Sequence, residues 1–257
     1  MISSIDFCMN KRPDCVLLID NSNTRTKLLC VSDEIRESEL LVLPTAELSV
    51  ETLKQAVSGM VYSRAVICSV VPSKCAVFNE ALRCPCHFLS VNSPTGLTFR
   101  YDSVSVLGAD RIANAAAIAE YGLFPCVAVD VGTATTFDVV MRQGHETVFL
   151  GGAIAPGMQA FTEYLHRCTA QLPKVCVSEP CGAIATNTVD AIKSGALYGF
   201  CGMVKELISR IEKELGQAVH VFLTGGDAPL LSRMIGRDSV VDSWLTLRGL
   251  LRVARHI

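Results

Sequence analysis

Two stretches of the sequence share one pattern, and that pattern decides the fold. "VLLIDNSNTRTKLLCV" (16–31) is an apolar run that breaks into polar residues at Asp20 and then resumes. "VAVDVGTATTFDVVM" (127–141) repeats this at Asp130, which lies 110 residues after Asp20. Each stretch is typical of a buried strand, a tight turn and a second strand. The repetition predicts two similar α/β domains that face one another across a cleft.

The residues around the hairpins predict the remaining elements. Short runs rich in Val, Ile and Leu predict strands, and apolar residues spaced three to four apart predict helices. The first half has predicted strands at 16–20, 26–31, 39–43, 65–71 and 88–91 and helices at 50–60 and 73–82. After a loop, the second half has predicted strands at 126–131, 136–141, 147–150 and 219–223 and helices at 111–121, 158–168, 189–215, 228–235 and 247–256. We place the domain boundary near residue 120, so that the domains are 14–120 and 121–257.

The composition of the 257-residue chain excludes several classes of protein. Half of the residues are hydrophobic and 19% are charged, which is typical of a folded globular protein. The apolar runs are much shorter than the roughly 20 residues of a membrane span. The net charge is −2 and the basic residues form no block, so we expect neither a membrane nor a nucleic acid as a partner. The segment "MISSIDFCMNKRPD" lacks the apolar core of a signal peptide, which favours a cytoplasmic protein.

The cysteines do not predict a metal site. Reduced thiols are expected for all twelve in a cytoplasmic protein, and most of them lie inside apolar runs, where a thiol behaves as a small hydrophobe. Cys84-Pro85-Cys86-His87 is the one tight cluster of ligand types. No second CxxC or HxxxH pair accompanies it to complete a tetrahedral site.

The repeated hairpin turn has a chemistry suited to phosphate. An acid at the end of a buried strand, followed by small hydroxyl and amide residues, offers donors to a phosphate and oxygen atoms to a cation. The alternative is a pair of ordinary hairpins stabilised by Asx turns. "LTGGDAP" (223–229) favours the phosphate hypothesis, because Gly225 and Gly226 would let the backbone approach a nucleotide closely.

These motifs carry a resemblance to a known family. "DNSNTRTK", "DVGTATT" and "TGGDA" resemble the two phosphate motifs and the adenosine motif of the superfamily of acetate and sugar kinases, heat-shock chaperones and actin. "YDSVSVLGADRIANAAA", "GGAIAPGMQA", "TNTVDAIKSGALYG" and "LTLRGL" resemble type III pantothenate kinase, over roughly residues 14–253. The resemblance implies two ribonuclease-H-like α/β domains (the actin-like ATPase fold) flanking a nucleotide cleft. It also implies ATP-dependent phosphorylation of pantothenate to 4'-phosphopantothenate, the first step of coenzyme A biosynthesis.

The resemblance also implies roles for particular residues. Asp110 matches the catalytic base, and Asp130 matches the ligand of a monovalent cation, potassium or ammonium. Magnesium would accompany ATP, and the protein would be a homodimer. The residues implied for ATP are Asp20, Asn21, Ser22, Asn23, Thr24, Arg25, Thr26, Lys27, Thr133, Gly225 and Gly226. The residues implied for pantothenate are Tyr101, Gly108, Ala109, Asp110, Arg111 and Thr188.

The chemistry of the residues agrees with two of these roles. Asp110 precedes the predicted helix as its N-cap, where the helix dipole and Arg111 favour an ionised carboxylate. The planar fork of Arg111 suits a substrate carboxylate. Alternatively, Asp110 only caps the helix and Arg111 is solvated. Tyr101 could likewise be an ordinary half-buried aromatic residue, and Lys27 an edge-strand lysine.

Two features depart from the family pattern. Ser22 stands where the family usually has glycine, and a Cβ there narrows the allowed dihedral angles of the turn. Asn21 or Ser22 could still adopt a left-handed conformation, Asn more readily than Ser. About thirteen residues precede the first strand, and we expect them to be disordered. Two alternatives to the pantothenate kinase therefore remain: another small-molecule kinase of the superfamily, and a catalytically weak or inactive relative that senses a nucleotide as a regulatory protein.

Overall fold

The computed structural model describes residues 15–32, 35 and 40–257 of the chain. The N-terminal extension and the predicted start of the third strand at residue 39 lie outside these residues. The chain folds as two compact units, Met1–Phe88 and Leu89–Ile257. No helix within the described part of the chain is both long enough and apolar enough to span a membrane.

The first unit is built on a five-stranded sheet in the order β3-β2-β1-β4-β5. β1 pairs antiparallel with β2 and parallel with β4, β2 pairs antiparallel with β3, and β4 pairs parallel with β5. The strands are β1 Val16–Asn21, β2 Arg25–Val31, β3 Leu41–Pro44, β4 Arg64–Ser69 and β5 Cys86–Phe88. Two helices, α1 Val50–Ala56 and α2 Cys75–Ala81, complete the unit.

The core of the first unit follows from its apolar strands. β1 is buried along its whole length, and Leu17 and Ile19 pack in one cluster with Leu53 of α1 and Phe78 of α2. Burying these side chains contributes roughly 1.5–3 kcal/mol each. Helix α1 starts at a capping box in which the Ser49 hydroxyl accepts a hydrogen bond from the backbone N–H of the third helical residue.

The second unit contains a six-stranded sheet in the order β11-β10-β7-β8-β9-β6. Its strands are β6 Thr98–Phe99, β7 Cys126–Val131, β8 Ala134–Gln143, β9 Glu146–Pro156, β10 His220–Thr224 and β11 Val240–Val241. Its helices are α3 Ala109–Glu120, α4 Met158–Cys168, α5 Thr188–Leu215, α6 Ala228–Met234 and α7 Leu245–Ala254.

The two sheets share one topology, so the predicted repeat is confirmed. β9-β8-β7-β10-β11 of the second unit has the order and strand directions of β3-β2-β1-β4-β5 in the first. In the first hairpin Asp20 faces Lys27, and in the second Asp130 faces Thr136, so the second turn is one residue shorter. Beyond this common plan, β6 adds a short parallel strand beside β9.

Helices cover both faces of the second sheet. Val127, Val129 and Val131 of β7 pack in one cluster with α5 and α6. The alternating residues of β7 point to the other face, where α3 packs against β7, β8 and α7. Helices α3 and α7 cross closely, since a Cβ atom at Gly249 would collide with the backbone carbonyl of Ala113. This close crossing is possible because α3 is rich in alanine.

The structure differs from the sequence predictions at three places. The units divide at Phe88/Leu89 rather than near residue 120, because α3 packs on β7, β8 and α7 within the second unit. β9 continues to Pro156, whereas the sequence predicted a strand that ends at residue 150. Gly151 and Gly152 have positive φ angles next to a register shift in β8, so they form an irregularity within the strand. The short strands β6 and β11 were not predicted.

Candidate active site

The carboxylate of Asp20 lies at the end of β1 and is held by its own hairpin. Asp20 is buried. One carboxylate oxygen accepts a hydrogen bond from the Ser22 hydroxyl at 3.0 Å, and Lys27 Nζ lies 3.4 Å from the other. The structure therefore brings together three of the residues expected to surround the ATP phosphates.

Two other expected phosphate ligands lie beneath the turn. Asn21 and Thr26 are fully buried, and Asn21 Nδ2 donates to Thr26 Oγ1 at 2.8 Å. Thr45 and Ser69, which the sequence patterns did not single out, complete the network. Thr45 Oγ1 lies 3.0 Å from Thr26 Oγ1 and donates to the Ser22 carbonyl at 2.7 Å, and Ser69 donates to Asn21 Oδ1 at 2.8 Å. These side chains support the turn.

The remaining residues of the turn face solvent. Asn23, Thr24 and Arg25 are exposed, and the Thr24 carbonyl accepts a hydrogen bond from the Thr45 backbone N–H at 3.0 Å. The turn closes through a hydrogen bond from Ser22 N–H to the Arg25 carbonyl. The tip therefore offers amide, hydroxyl and guanidinium donors on a backbone that is held in place.

Ser22 does not need the left-handed conformation that glycine provides. Among the described residues, only glycines have positive φ angles. Neither Asn21 nor Ser22 is left-handed, so serine fits this turn without backbone strain. The serine hydroxyl adds a hydrogen bond to Asp20 that glycine could not make.

The edge-strand explanation of Lys27 is wrong. β2 lies between β1 and β3 in the sheet, and Lys27 pairs with Asp20 across β1 and β2. The Lys27 side chain remains 31% exposed, so its ammonium group is accessible as well as paired.

In the second hairpin, Asp130 is connected to two helices. Asn114 of α3 donates through Nδ2 to Asp130 Oδ2 at 3.0 Å, and Thr246 of α7 donates to Asn114 Oδ1 at 2.9 Å. Asn114 is fully buried and Thr246 nearly so, whereas Asp130 is half-buried. The Thr246 bond fixes which end of the amide faces Asp130, so one carboxylate oxygen is held in a defined orientation.

Thr133 lies at the exposed tip of the second turn, beside the glycine turn of "LTGGDAP". Gly225 has a φ of 91°, and a Cβ atom there would collide with the backbone carbonyl of Val131. The Asp227 N–H donates to that same carbonyl at 3.4 Å. Gly226 is exposed, with open space where a Cβ would be. The glycine turn therefore packs against Val131, two residues before Thr133 in the second hairpin.

Asp110 lies inside helix α3, and the prediction that it is the N-cap is wrong. The N-cap is Gly108, which has no side chain to cap the helix, and Ala109 is the first helical residue. Asp110 Oδ1 accepts a hydrogen bond from the backbone N–H of Arg111 at 2.8 Å. A carboxylate in the first turn satisfies one of the free N–H groups of the helix and complements its dipole. The half-buried Asp110 is thereby held at the helix start.

The side chain of Arg111 is buried and paired, so it is not the solvated arginine of the alternative explanation. Nε donates to Asp138 Oδ1 at 2.6 Å, and Nη2 donates to the Phe137 carbonyl at 3.4 Å. The guanidinium carbon lies 5.8 Å from the ring centre of Tyr101 and 5.7 Å from that of Phe149. Tyr101 therefore packs against Arg111.

Asp138 lies in the second repeated stretch, but the sequence motifs gave it no role; it is fully buried in the middle of β8. Burial raises the pKa of Asp138, the carboxylates of Asp110 and Asp130 raise it further, and Arg111 opposes the shift. The charges of Asp110, Asp130 and Arg111 therefore all affect the pKa of Asp138. The signal was present in "TTFDVVM", where one acid interrupts a buried apolar run.

Thr188 lies at an apolar groove between α4 and α5. It is the first residue of α5, is exposed, and lines this groove of about 710 Å³ together with Pro156, Phe161, Tyr164 and Ile192.

Within the described residues, no group of three or more His, Cys, Asp or Glu side chains could hold a metal ion. Cys84 and Cys86 lie side by side at the start of β5, and burial raises the pKa of the Cys84 thiol to about 11.

Comparison with known proteins explains this arrangement. A family model described as type III pantothenate kinase matches residues 16–210. The chain belongs to the type III pantothenate kinase family. A type III pantothenate kinase of Akkermansia muciniphila is 47% identical over 238 residues, covering 93% of this chain and 97% of that protein. Type III pantothenate kinases of Methylacidiphilum infernorum (39% identical, covering 91% of this chain and 86% of that one) and Rhodospirillum rubrum (35%, covering 94% and 98%) are also similar.

Solved structures establish the fold of this type III pantothenate kinase family member. A Campylobacter jejuni protein described as belonging to the Baf family of transcriptional activators matches with a TM-score of 0.62 at 20% identity, covering 93% of this chain and 98% of that one. An archaeal actin homologue matches with a TM-score of 0.52 at 12% identity, covering 95% and 100%. At these identities the likeness concerns the fold alone. The predicted actin-like fold with two ribonuclease-H-like α/β domains is confirmed.

Proposed function

We propose that this protein phosphorylates pantothenate with ATP to give 4'-phosphopantothenate, the first step of coenzyme A biosynthesis. Beyond family membership, one observation carries the proposal. Helix α3 begins with Asp110 and Arg111, Arg111 Nε donates to the buried Asp138 at 2.6 Å, and Asn114 of the same helix donates to Asp130 at 3.0 Å. A kinase of an anionic alcohol needs a base for the hydroxyl, a cation for the substrate charge and an oxygen ligand near the phosphates, and this group has all three types.

Asp110 would orient the primary hydroxyl of pantothenate and accept its proton. As the hydroxyl oxygen bonds to the γ-phosphorus, the bond from that phosphorus to the bridging oxygen breaks and ADP leaves. An ionised carboxylate is a weak base, so proton transfer would come late, when the attacking oxygen has become acidic. The backbone hydrogen bond from Arg111 keeps the Asp110 carboxylate in one orientation before the reaction.

The two hairpin turns would bind the phosphates of ATP. In the first unit, Lys27 and the exposed tip at residues 23–25 would supply donors, and Asp20 would supply oxygen atoms for the magnesium that accompanies ATP. In the second unit, Thr133 would contact a phosphate, and Gly225 and Gly226 would let the adenosine lie close to the backbone. The buried Asn21 and Thr26 would act by holding the first turn in shape.

Asp130 would hold potassium or ammonium. Its half-buried carboxylate, with one oxygen fixed by Asn114, is an oxygen donor that fits such a cation. When bound, the cation supplies positive charge beside the developing charge of the phosphates.

We also propose a cytoplasmic homodimer without membrane or nucleic-acid partners. The apolar groove between α4 and α5, which Thr188 lines, is the candidate dimer surface.

The test is ADP release from ATP, measured with and without pantothenate, in potassium and in sodium buffer. We expect turnover that requires pantothenate and is faster in potassium. Asp110→Asn should lower kcat by on the order of 10²–10⁴, the range for loss of a general base, with ATP binding unchanged. Wild-type turnover in Asp110→Asn would contradict the role of Asp110.

The two alternatives predict different results in the same assay. Another small-molecule kinase would show turnover with a different alcohol in a substrate panel and none with pantothenate. A regulatory relative would bind ATP without turnover on any alcohol. The unstrained turn at Ser22 removes the main structural reason for expecting weak ATP binding.

A further inference from the structure

Asp138 is a buried acid without a role in the reaction described so far. It is 0% exposed and lies on β8 between the buried residues Phe137 and Val139. Placing a carboxylate in such surroundings costs several kcal/mol unless it is paired and hydrogen-bonded. Its closest partner is Arg111 Nε, at 2.6 Å, and the Thr136 hydroxyl is a weaker one at 3.4 Å.

The contact with Asp138 fixes the orientation of the Arg111 guanidinium. Asp138 binds the Nε side, and the rings of Tyr101 and Phe149 lie within 6 Å of the guanidinium carbon. The rings themselves pack edge to face at 6.0 Å, so they form a rigid wall. A guanidinium has five N–H donors in one plane. With Nε bonded to Asp138 and Nη2 bonded to the Phe137 carbonyl, the remaining N–H groups have a fixed direction toward a second acceptor.

We propose that Asp138 is a positioning residue for substrate recognition. It holds Arg111 through Nε so that the outer N–H groups of the guanidinium bind the carboxylate of pantothenate. Asp138 thus acts through Arg111 and sets the preference for an acidic substrate. This inference rests on the proposed function, because it takes pantothenate as the substrate.

Packing alone does not call for this charged pair. Apolar side chains of similar volume often replace a buried ion pair with no loss of stability, because the desolvation cost of the charges disappears. Arg111 and Asp138 are also neighbours of two residues of the proposed site, Asp110 and Asp130. Arg111 follows Asp110 directly, and β8 pairs with β7, the strand that carries Asp130. A fixed guanidinium at this place is suited to orienting a substrate for Asp110.

The experiment compares pantothenate with the corresponding alcohol, in which CH2OH replaces the carboxylate. The wild type should prefer pantothenate in kcat/KM. Asp138→Asn keeps the size of the side chain but removes its charge. It should raise KM for pantothenate by on the order of tenfold, the effect of one charge-assisted hydrogen bond, while KM for ATP stays within about twofold. The preference for pantothenate over the alcohol should fall by a similar factor.

A matched control separates positioning from general damage to the fold. Asp242 is also a buried acid of the second unit, and it accepts a hydrogen bond from Arg248 Nε at 2.7 Å. Asp242→Asn should leave the substrate preference unchanged even if it lowers stability. Arg111→Lys keeps the positive charge but loses the planar fork, so it should lose the preference as Asp138→Asn does. Combining the two substitutions should lower the preference no further.

Each result has a distinct meaning. If Asp138→Asn lowers kcat/KM for both substrates by the same factor, the pair is structural and the inference is wrong. If Asp138→Asn does not fold, Arg111→Lys decides, since an unchanged preference in that variant also overturns the inference. If the wild type itself does not turn over pantothenate, the proposed function fails and this inference falls with it.

Discussion

The two hairpin turns have the same topology but different support. The first turn is held from below by side chains of its own sheet and the adjoining loop, through Thr26, Thr45 and Ser69. The second is held by helices and by a neighbouring glycine turn, through Asn114 and Gly225. Asp20 is paired within its own hairpin, whereas Asp130 is tied to α3, the helix that also carries Asp110.

This difference indicates a division of labour between the repeats. A turn supported by its own sheet and the adjoining loop can bind a phosphate through groups that share no element with the proposed base. A turn joined to α3 shares one structural element with the proposed base and the proposed substrate ligand. The second turn is therefore the one in which phosphate binding and substrate binding are expected to be coupled.

The largest effect should come from removing the glycine support of the second turn. Gly225→Ala places a methyl group against the Val131 carbonyl in a left-handed residue, so we expect a loss of about 3 kcal/mol in the free energy of unfolding. Gly226→Ala has open space and should change it by less than about 0.5 kcal/mol. Urea denaturation of both variants tests this. Equal losses would mean that the close approach at Gly225 does not support the turn.

An intermediate effect should come from removing the hydroxyl groups that support each turn. Thr26→Val should cost about 2–3 kcal/mol, because it leaves the buried Asn21 amide without its acceptor. Thr246→Val removes one donor from Asn114 and should cost about 1–2 kcal/mol. Denaturation measures both costs, and Thr246→Ser should restore most of the loss.

The two valine variants should also differ in function. Thr246→Val should weaken the binding of both ATP and pantothenate, because Asn114 lies on α3. Thr26→Val should weaken the binding of ATP alone. Steady-state KM values for the two substrates distinguish these outcomes. A pantothenate effect in Thr26→Val would contradict the division of labour between the turns.

The smallest effect should appear at an ion pair remote from both turns. Glu212 accepts hydrogen bonds from Arg237 and from the Val219 N–H, and the bond from Arg237 is the main cause of its lowered pKa. A lowered pKa in the folded state stabilises the protein above the ordinary pKa of the group, near 4.5, and the contribution disappears as the pH falls through the folded value.

The measurement is the stability of the wild type and of Glu212→Gln from pH 7 down to pH 3. The difference between them should stay constant down to about pH 5 and then shrink. Glu206→Gln, which loses an exposed pair with Arg210 on the same helix, gives the baseline. A difference that grows as the pH falls would have the wrong sign for a lowered pKa.

The sequence predicted the repeated part of the fold well, because a buried strand, an acid and a turn of small residues are local patterns. Helix α4 was predicted with its observed bounds for the same reason. The domain boundary depends instead on α3 packing against α7, a contact between residues more than a hundred positions apart. No local pattern reports such a contact.

The sequence named the candidate site residues that lie in motifs, but it did not name the residues that support them. Asp110 and Arg111 could be named because they stand together in one motif. Thr246 could not, because its partner Asn114 lies 132 residues away. Asp138 was visible as a lone acid in an apolar strand, but its partner became known only when the structure brought α3 onto β8.

The close crossing of α3 and α7 has a mechanical consequence. At Gly249 the two helices touch backbone to backbone, so no flexible side chain there can absorb a shift. A single added methyl group at this contact would push α3 along or away from the sheet, and the start of α3 would move with it. The position of the proposed reacting groups would then depend on a helix contact that touches neither substrate. The effect of substitutions at this crossing on activity would measure how precisely those groups must be placed.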